Sequence, residues 1–183
     1  MRIAVSGAHR VGKSTLVEAL EERLEGYRAV EEPYRLLEEE GHAFGLPPSL
    51  EDFLEQLRRA LELLEDEELG RHVVFDRCPL DFLGYLLTHE DAESFDLEEW
   101  LPRVRAAVQT LDLIVYVPIE GDGRIRLPSH EEPAPRAAVD EKLAWILLDD
   151  PFDMGVEVRC VEGPPSARMA QVLEHLGGTR HSP

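Results

Sequence analysis

The segment Gly7-Ala8-His9-Arg10-Val11-Gly12-Lys13-Ser14-Thr15 decides the fold of this 183-residue chain. It satisfies the pattern G-x-x-x-x-G-K-[S/T], and it lies between a predicted strand, residues 2–6, and a predicted helix that begins near residue 13. In that context the glycines let backbone N–H groups turn around a phosphate, and the helix presents the positive end of its dipole to the same anion. The segment therefore predicts a phosphate-binding loop, or P-loop, over residues 7–15.

Two side chains of the P-loop have predicted roles. Lys13 is expected to reach the β- and γ-phosphates of a nucleoside triphosphate, and the hydroxyl of Ser14 is expected to be a ligand for Mg²⁺. A second Mg²⁺ ligand is expected at Asp76, which ends the hydrophobic run Val73-Val74-Phe75. A turn preference alone would also place an Asp at the end of a strand. The pattern does not specify His9 and Arg10, so both are expected to be solvated loop positions.

Outside the P-loop, short apolar runs alternate with helical patterns, which is typical of the βαβ units of a parallel sheet. We predict an α/β P-loop NTPase fold with a five-stranded parallel sheet sandwiched by helices, in a single domain over residues 1–183. Strands are predicted near 2–6, 28–31, 72–76, 112–117 and 155–161. Helices are predicted near 13–25, 34–41, 50–69, 79–89, 97–110, 137–149 and 166–176. Ser49 and Asp52 form a capping signature for the third helix, and Pro79 suits the first turn of the fourth.

Composition narrows the choice of partner. The formal net charge of −19 argues against a nucleic-acid partner, because phosphate backbones are held mostly by clustered Lys and Arg. No apolar run approaches the roughly 20 residues that a membrane helix needs, and no signal peptide is evident, so a cytoplasmic location and no membrane contact are expected. A small-molecule substrate fits better. A homodimer remains open.

The segment Asp76-Arg77-Cys78-Pro79-Leu80-Asp81 resembles the Asp-Arg-x-x-x-Asp segment of the AAA-like ATPase/kinase family that includes nicotinamide riboside kinase domains. Deoxynucleoside kinases are more distant relatives. The resemblance implies that Arg77 faces the phosphoryl acceptor and that Asp81 belongs to the substrate site. Where deoxynucleoside kinases have Glu-Arg-Ser this chain has Asp76-Arg77-Cys78, which argues against deoxynucleoside specificity.

Further segments match this family in order along the chain. In Val30-Glu31-Glu32-Pro33 the resemblance makes Glu32 the general base, and in Phe53-x-x-Gln56 it makes Gln56 a substrate-reading residue. It also implies that Gly163 and Pro164 wrap around adenine. Simpler interpretations stay open: Glu32 could be solvated, Gln56 could lie on an ordinary helix face, and Asp81 could complement a helix N-terminus.

Residues 118–136 carry several Pro and Gly and are predicted to form a lid over the phosphates. Arg124 and Arg126 are its expected catalytic residues, with Arg136 at its end, because phosphoryl transfer requires cations near the γ-phosphoryl group. The alternative is that these arginines pair with acidic neighbours such as Glu120.

The predicted function is ATP-dependent phosphoryl transfer to a small-molecule hydroxyl, as in a nucleoside or riboside kinase, with ATP and Mg²⁺ as cofactors. The alternative is a regulatory module that binds and hydrolyses a nucleoside triphosphate and acts on a protein partner. A Ras-like GTPase is disfavoured, because such proteins read guanine with an Asn-Lys-x-Asp segment and this chain contains no asparagine.

Overall fold

The computed structural model describes residues 1–121 and 133–179. Its sheet contains five strands in the order β2-β3-β1-β4-β5, and every neighbouring pair is parallel. The strands are β1 Arg2–Ser6, β2 Arg28–Val30, β3 Val73–Asp76, β4 Leu113–Tyr116 and β5 Val158–Cys160. The predicted five-stranded parallel sheet is therefore confirmed.

The described residues also form seven α-helices, one for each helix predicted. They are α1 Lys13–Arg23, α2 Pro33–Glu39, α3 Leu50–Glu65, α4 Pro79–Thr88, α5 Leu97–Val108, α6 Pro133–Leu148 and α7 Pro165–Thr179. Helix α3 ends before its predicted boundary, because Asp66 begins a separate 3₁₀ turn by accepting the N–H of Glu68. Helix α6 begins earlier than predicted, since prolines fit the first turn of a helix without loss of a hydrogen bond.

The local helix signals correspond to real caps. The hydroxyl of Ser49 accepts the N–H of Asp52 at 3.2 Å, and the Asp52 carboxylate accepts the N–H of Ser49 at 2.8 Å. Pro79 is the first residue of α4. These contacts start two helices where the sequence predicts them.

The core lies on both faces of the central strands. Ile3, Ala4 and Val5 are successive residues of β1, and all three are fully buried. Because successive strand residues point to opposite faces, helices must cover the sheet on both sides. Helix α1 packs against β1 and β3 and contacts α7, whereas α3, α4 and α5 contact one another and α4 contacts α6.

This topology places the predicted site residues at one edge of the sheet. The carboxyl ends of parallel strands meet at the same edge, and ligands of open α/β sheets bind there. The P-loop follows β1, and Glu32 follows β2. Asp76 ends β3, Arg77 comes directly after it, and Gly163 follows β5. Of the predicted lid, residues 118–121 and 133–136 are described, while Arg124 and Arg126 lie outside the described residues. Within the described ranges no helix is long and apolar enough to cross a membrane.

Candidate active site

The backbone of the P-loop requires glycine at two positions. Gly7 has φ 148°, and a Cβ atom there would lie 2.3 Å from the carbonyl oxygen of Val117. Gly12 has φ 91°, in the left-handed region, immediately before α1 begins at Lys13. An L side chain would be strained at both positions. The glycines of the motif are therefore explained by the loop's own geometry.

Lys13 lies inside the P-loop and is only 5% exposed. Its Nζ donates to the carbonyl oxygen of Ala8 at 2.8 Å, so a neutral group is the hydrogen-bond partner of this amine. Burial lowers the pKa of Lys13 to about 7, and the nearby charge of Arg77 acts in the same direction. The charges of Asp81, Asp76 and Glu32 act in the opposite direction but do not overcome burial. A buried ammonium that is not paired directly with an anion is costly, and an anion bound in the loop would reduce that cost.

Ser14 and Asp76 meet at the mouth of the P-loop. The hydroxyl of Ser14 donates to Oδ2 of Asp76 at 2.6 Å. Oδ1 of Asp76 is buried and has no hydrogen-bond partner among the described residues. Burial raises the pKa of Asp76, while the charge of Lys13 and the hydrogen bond from Ser14 act in the opposite direction. An unpaired carboxylate oxygen beside a hydroxyl is a donor set that suits Mg²⁺, which prefers oxygen ligands.

Arg77 connects the end of β2 to the start of the P-loop. Its side chain is 8% exposed, its Nε donates to Oε2 of Glu32 at 3.1 Å, and its Nη1 donates to the carbonyl oxygen of Gly7 at 3.1 Å. The guanidinium also lies 5.5 Å from the ring centroid of Tyr85. Glu32 is the residue that precedes α2, and its side chain is 23% exposed. Arg77 thus fixes the direction of a carboxylate that solvent can reach.

Asp81 lies beneath the P-loop and is fully buried. Its carboxylate accepts hydrogen bonds from the hydroxyl of Ser6 at 2.6 Å and from the N–H groups of Gly7 and Cys78, both at 3.0 Å. It also accepts one from Nη1 of Arg77 at 3.2 Å. With four internal donors and no exposed surface, Asp81 complements the start of α4 and anchors the P-loop. The structure therefore favours a positioning role over the substrate contact that the resemblance implied.

Replacing Asp81 with Asn is expected to lower the free energy of unfolding by about 3 kcal/mol or more, because an amide NH₂ would face donors and Arg77 would lose a buried partner. Urea denaturation of the purified protein measures this change. Asp96→Asn is the matched control, since Asp96 is exposed and its side chain makes no cap hydrogen bond with α5. Equal stabilities of the two variants would contradict the anchoring role.

Aromatic side chains stand beside Arg77. The hydroxyl of Tyr85 accepts the N–H of His9 at 2.9 Å, and the ring of Phe53 stacks on Tyr85 with centroids 4.9 Å apart.

Gln56, one turn further along α3 than Phe53, is 5% exposed and donates from Nε2 to the carbonyl oxygen of Asp52 at 3.0 Å. This donor of Gln56 is therefore satisfied by its own helix, as on an ordinary helix face.

Two arginines from distant helices donate to carbonyl oxygens of the P-loop. Arg136 of α6 binds the carbonyl oxygens of His9 and Arg10 at 2.9 and 3.1 Å. Arg168 of α7 binds that of Val11 at 2.5 Å. Arg136 falls at the end of the predicted lid, whereas no sequence pattern was used to predict Arg168. A signal was available, because a cation in the first turn of a helix is unfavourable with the helix dipole and implies a partner elsewhere.

The loop after β5 is joined to the same network. The N–H of Gly163 donates to Oε1 of Glu120 at 2.7 Å, and Nη2 of Arg168 donates to the same oxygen at 2.8 Å. Gly163 has φ 97°, a conformation that favours glycine. Pro164 then leads into α7 at Pro165. The Gly163-Pro164 turn predicted to hold adenine is thus connected to the P-loop through two side chains.

The parallel strand order, the loop after β1 and the buried lysine define this chain as a protein with the P-loop kinase fold. A family model for the AAA domain matches residues 2–158, and the chain belongs to that family. None of the curated proteins compared with it matches.

Solved structures of P-loop kinases have the same fold. Deoxyadenosine kinase from M. mycoides with bound dATP is 15% identical with a TM-score of 0.66, over 97% of this chain and 100% of that one. Thymidylate kinase from Candida albicans is 17% identical with a TM-score of 0.65, over 98% and 92%. NadR in complex with NR is 17% identical with a TM-score of 0.67, over 100% of this chain and 51% of NadR. At these identities the similarity establishes the fold alone.

Proposed function

We propose that this protein transfers the γ-phosphoryl group of ATP to a hydroxyl of a small molecule, of the nucleoside or riboside type. The observation that carries the proposal is the convergence of three elements at one sheet edge: the lysine-bearing P-loop, the Ser14–Asp76 pair and the Glu32–Arg77 pair. Phosphoryl transfer requires mainly positioned reactants and neutralised charge. These elements supply cations for the phosphates and a carboxylate for the acceptor.

Each residue has a proposed role. Lys13 and the amides of the P-loop bind the β- and γ-phosphates. The ammonium charge and the N–H dipoles stabilise the transition state more than the ground state. Glu32, directed by Arg77, accepts the proton of the acceptor hydroxyl. The Gly163-Pro164 turn lies at the end of β5, on the opposite side of the P-loop from Glu32, and contacts the base. The acceptor and the base therefore approach the phosphates from opposite sides.

The residues at the P-loop mouth fit a magnesium ion. Ser14 and Asp76 would hold it, and when bound it supplies positive charge at the β- and γ-phosphate oxygens. No cluster of three His, Cys, Asp or Glu side chains able to hold a metal occurs in the described part of the chain. The remaining ligands would be phosphate oxygens and water, as Mg²⁺ commonly prefers.

The solved relatives support a nucleotide site of this kind. The deoxyadenosine kinase structure contains dATP, and NadR has been solved with NR and, separately, with NAD and AMP-PNP. Aromatic rings support a planar acceptor: Tyr85 lies against the guanidinium of Arg77 and stacks on Phe53. A second pair, Tyr34 and Phe44, stacks with centroids 4.2 Å apart. Because Tyr34 follows Glu32 by two residues, both lie on the acceptor side of the P-loop.

Asp76→Asn is expected to raise the Mg²⁺ concentration needed for half-maximal ATP-dependent stabilisation by at least about tenfold, since the amide keeps an acceptor for Ser14 but loses the charge that attracts a divalent cation. Thermal melting with ATP at a series of Mg²⁺ concentrations measures it. Asp112→Asn is a control at the other end of the sheet, where Asp112 accepts the N–H of Arg2. An unchanged Mg²⁺ requirement in Asp76→Asn would remove Asp76 from the metal site.

The function is tested by incubating the protein with Mg-ATP and a panel of nucleosides, ribosides and sugars while ADP release is followed. ADP formation that rises at least about tenfold with one acceptor, with a phosphorylated product identified by mass spectrometry, would support the kinase. Hydrolysis that no acceptor changes would favour the regulatory module. A panel with no phosphorylated product would end the proposal for these acceptors.

A further inference from the structure

Arg168 occupies the junction between the two halves of the proposed nucleotide site. Its Nη1 donates to the carbonyl oxygen of Val11 in the P-loop, and its Nη2 donates to Glu120. The same oxygen of Glu120 accepts the N–H of Gly163. One guanidinium therefore connects the loop after β1 with the loop after β5, across 157 residues of sequence.

The contact with Val11 has a consequence for the P-loop amides. A trans peptide unit is planar, and its C=O and N–H groups point in opposite directions. When Arg168 holds the carbonyl oxygen of Val11 toward α7, the N–H of Gly12 in the same peptide is directed to the other side, away from α7. Arg136 acts on the two preceding peptide units in the same way, through the carbonyl oxygens of His9 and Arg10. Three successive carbonyl oxygens of the P-loop are thus held by two arginines, two of them by Arg136 and one by Arg168.

Stability alone does not account for the placement of Arg168. The residue is 7% exposed, and its Nε is buried with no hydrogen-bond partner among the described residues. A buried donor left unpaired costs free energy, and a cation in the first turn of a helix adds to that cost. These costs are offset by the two contacts that the guanidinium makes, with Val11 of the P-loop and with Glu120.

We propose that Arg168 is a positioning residue that, through Glu120, holds the P-loop and the Gly163-Pro164 turn in a fixed relation, so that the phosphates and the base of one nucleotide are bound together. The proposal rests on the proposed nucleotide-binding function. Its consequence is specific: Arg168 contributes to the affinity for a complete nucleotide more than to the affinity for the phosphate chain alone. Arg136 continues to hold the carbonyl oxygens of His9 and Arg10 when Arg168 is replaced.

The test compares two probes, AMP-PNP and inorganic tripolyphosphate, both with Mg²⁺, by isothermal titration calorimetry. In Arg168→Met we expect the affinity for AMP-PNP to fall at least tenfold and the affinity for tripolyphosphate to change less than threefold. Arg105→Met is the matched control, because Arg105 also donates to a backbone carbonyl, that of Phe152, but from α5. This control should bind both probes like the wild type.

A second variant separates positioning from stability. Arg168→Met removes the guanidinium that donates to Glu120, and adding Glu120→Gln removes the facing negative charge while keeping an acceptor for Gly163. The double variant should recover the melting temperature of the free protein but not the affinity for AMP-PNP. Arg168→Lys has a single ammonium group in place of the two guanidinium nitrogens that bind Val11 and Glu120. Its loss of affinity for AMP-PNP should be intermediate, and this variant replaces Arg168→Met in the test if the methionine variant does not fold.

The outcomes distinguish this inference from the function on which it rests. A wild-type protein that binds neither probe would remove the proposed function. If the wild type binds AMP-PNP and Arg168→Met binds it within twofold, the positioning role is wrong while the function stands. Equal losses for both probes, or AMP-PNP affinity restored in the double variant, would show that Arg168 only supports the P-loop or the fold, and would also overturn the inference.

Discussion

Replacing Lys13 with methionine is expected to remove most of the stabilisation that Mg-ATP gives the protein. Nucleotide at 100 times its Kd stabilises a native protein by about 2.7 kcal/mol, which for a chain of this size raises the melting temperature by roughly 5–10 °C. Loss of charge-assisted hydrogen bonds to two phosphates costs about 3 kcal/mol, or roughly a hundredfold in affinity. The variant should then shift by about 1 °C at the same nucleotide concentration.

The matched control is Lys142→Met, which changes the chain's only other lysine. Lys142 lies over the ring of Trp145 on α6, and its replacement should leave the nucleotide-dependent shift unchanged. A full shift in Lys13→Met, or an equal loss in both variants, would contradict the assignment of the phosphate site to the P-loop.

The same substitution should make the free protein more stable, and the gain should depend on pH. Burial lowers the pKa of Lys13 from 10.5 to about 7. Between pH 7 and pH 10.5 the lysine is therefore protonated in the unfolded chain and neutral in the folded protein. The buried charge therefore lowers the free energy of unfolding by its full amount below pH 7, and this effect disappears as the pH rises toward 10.5. Lys13→Met should exceed the wild type in melting temperature most at pH 6 and least near pH 10.

Glu32→Gln is expected to lower the rate of phosphoryl transfer by about 10²–10⁴-fold, the range for loss of a general base. Nucleotide affinity should change less than threefold, because Glu32 lies on the opposite side of the P-loop from Gly163. Glutamine can still accept the hydrogen bond from Arg77, so the buried guanidinium keeps its partners. Single-turnover kinetics with the acceptor found in the panel would measure the rate, and thermal melting with Mg-ATP would measure binding.

Glu31→Gln is the control, since it makes the same chemical change at the neighbouring, exposed position. Its transfer rate should match that of the wild type. If Glu32→Gln transferred the phosphoryl group at the wild-type rate, Glu32 would not be the general base. The role left for Arg77 would then be its contact with the P-loop at Gly7. If both variants lost activity equally, the negative charge at this edge of the sheet would matter more than a general base at position 32.

Local patterns predicted the elements of this fold. Glycine, lysine and serine at set spacings identify the P-loop. The loop's own φ angles require the glycines, and a phosphate site with a magnesium ion calls for the lysine and the serine. Ser49 and Asp52 likewise predicted the start of α3, through reciprocal hydrogen bonds between residues three positions apart. Such interactions act within one turn of chain, so the sequence shows both partners side by side.

The sequence alone therefore determined the P-loop, the alternation of strands and helices, and the end of β3 at Asp76. Only the tertiary structure decided that Asp81 lies buried under the P-loop, that Arg77 meets Glu32, and that Arg168 reaches Val11. The partners of these three residues are separated by 74, 45 and 157 positions. Contacts of that range depend on strand order and on the direction in which each helix packs, and no local spacing in the chain records either of them.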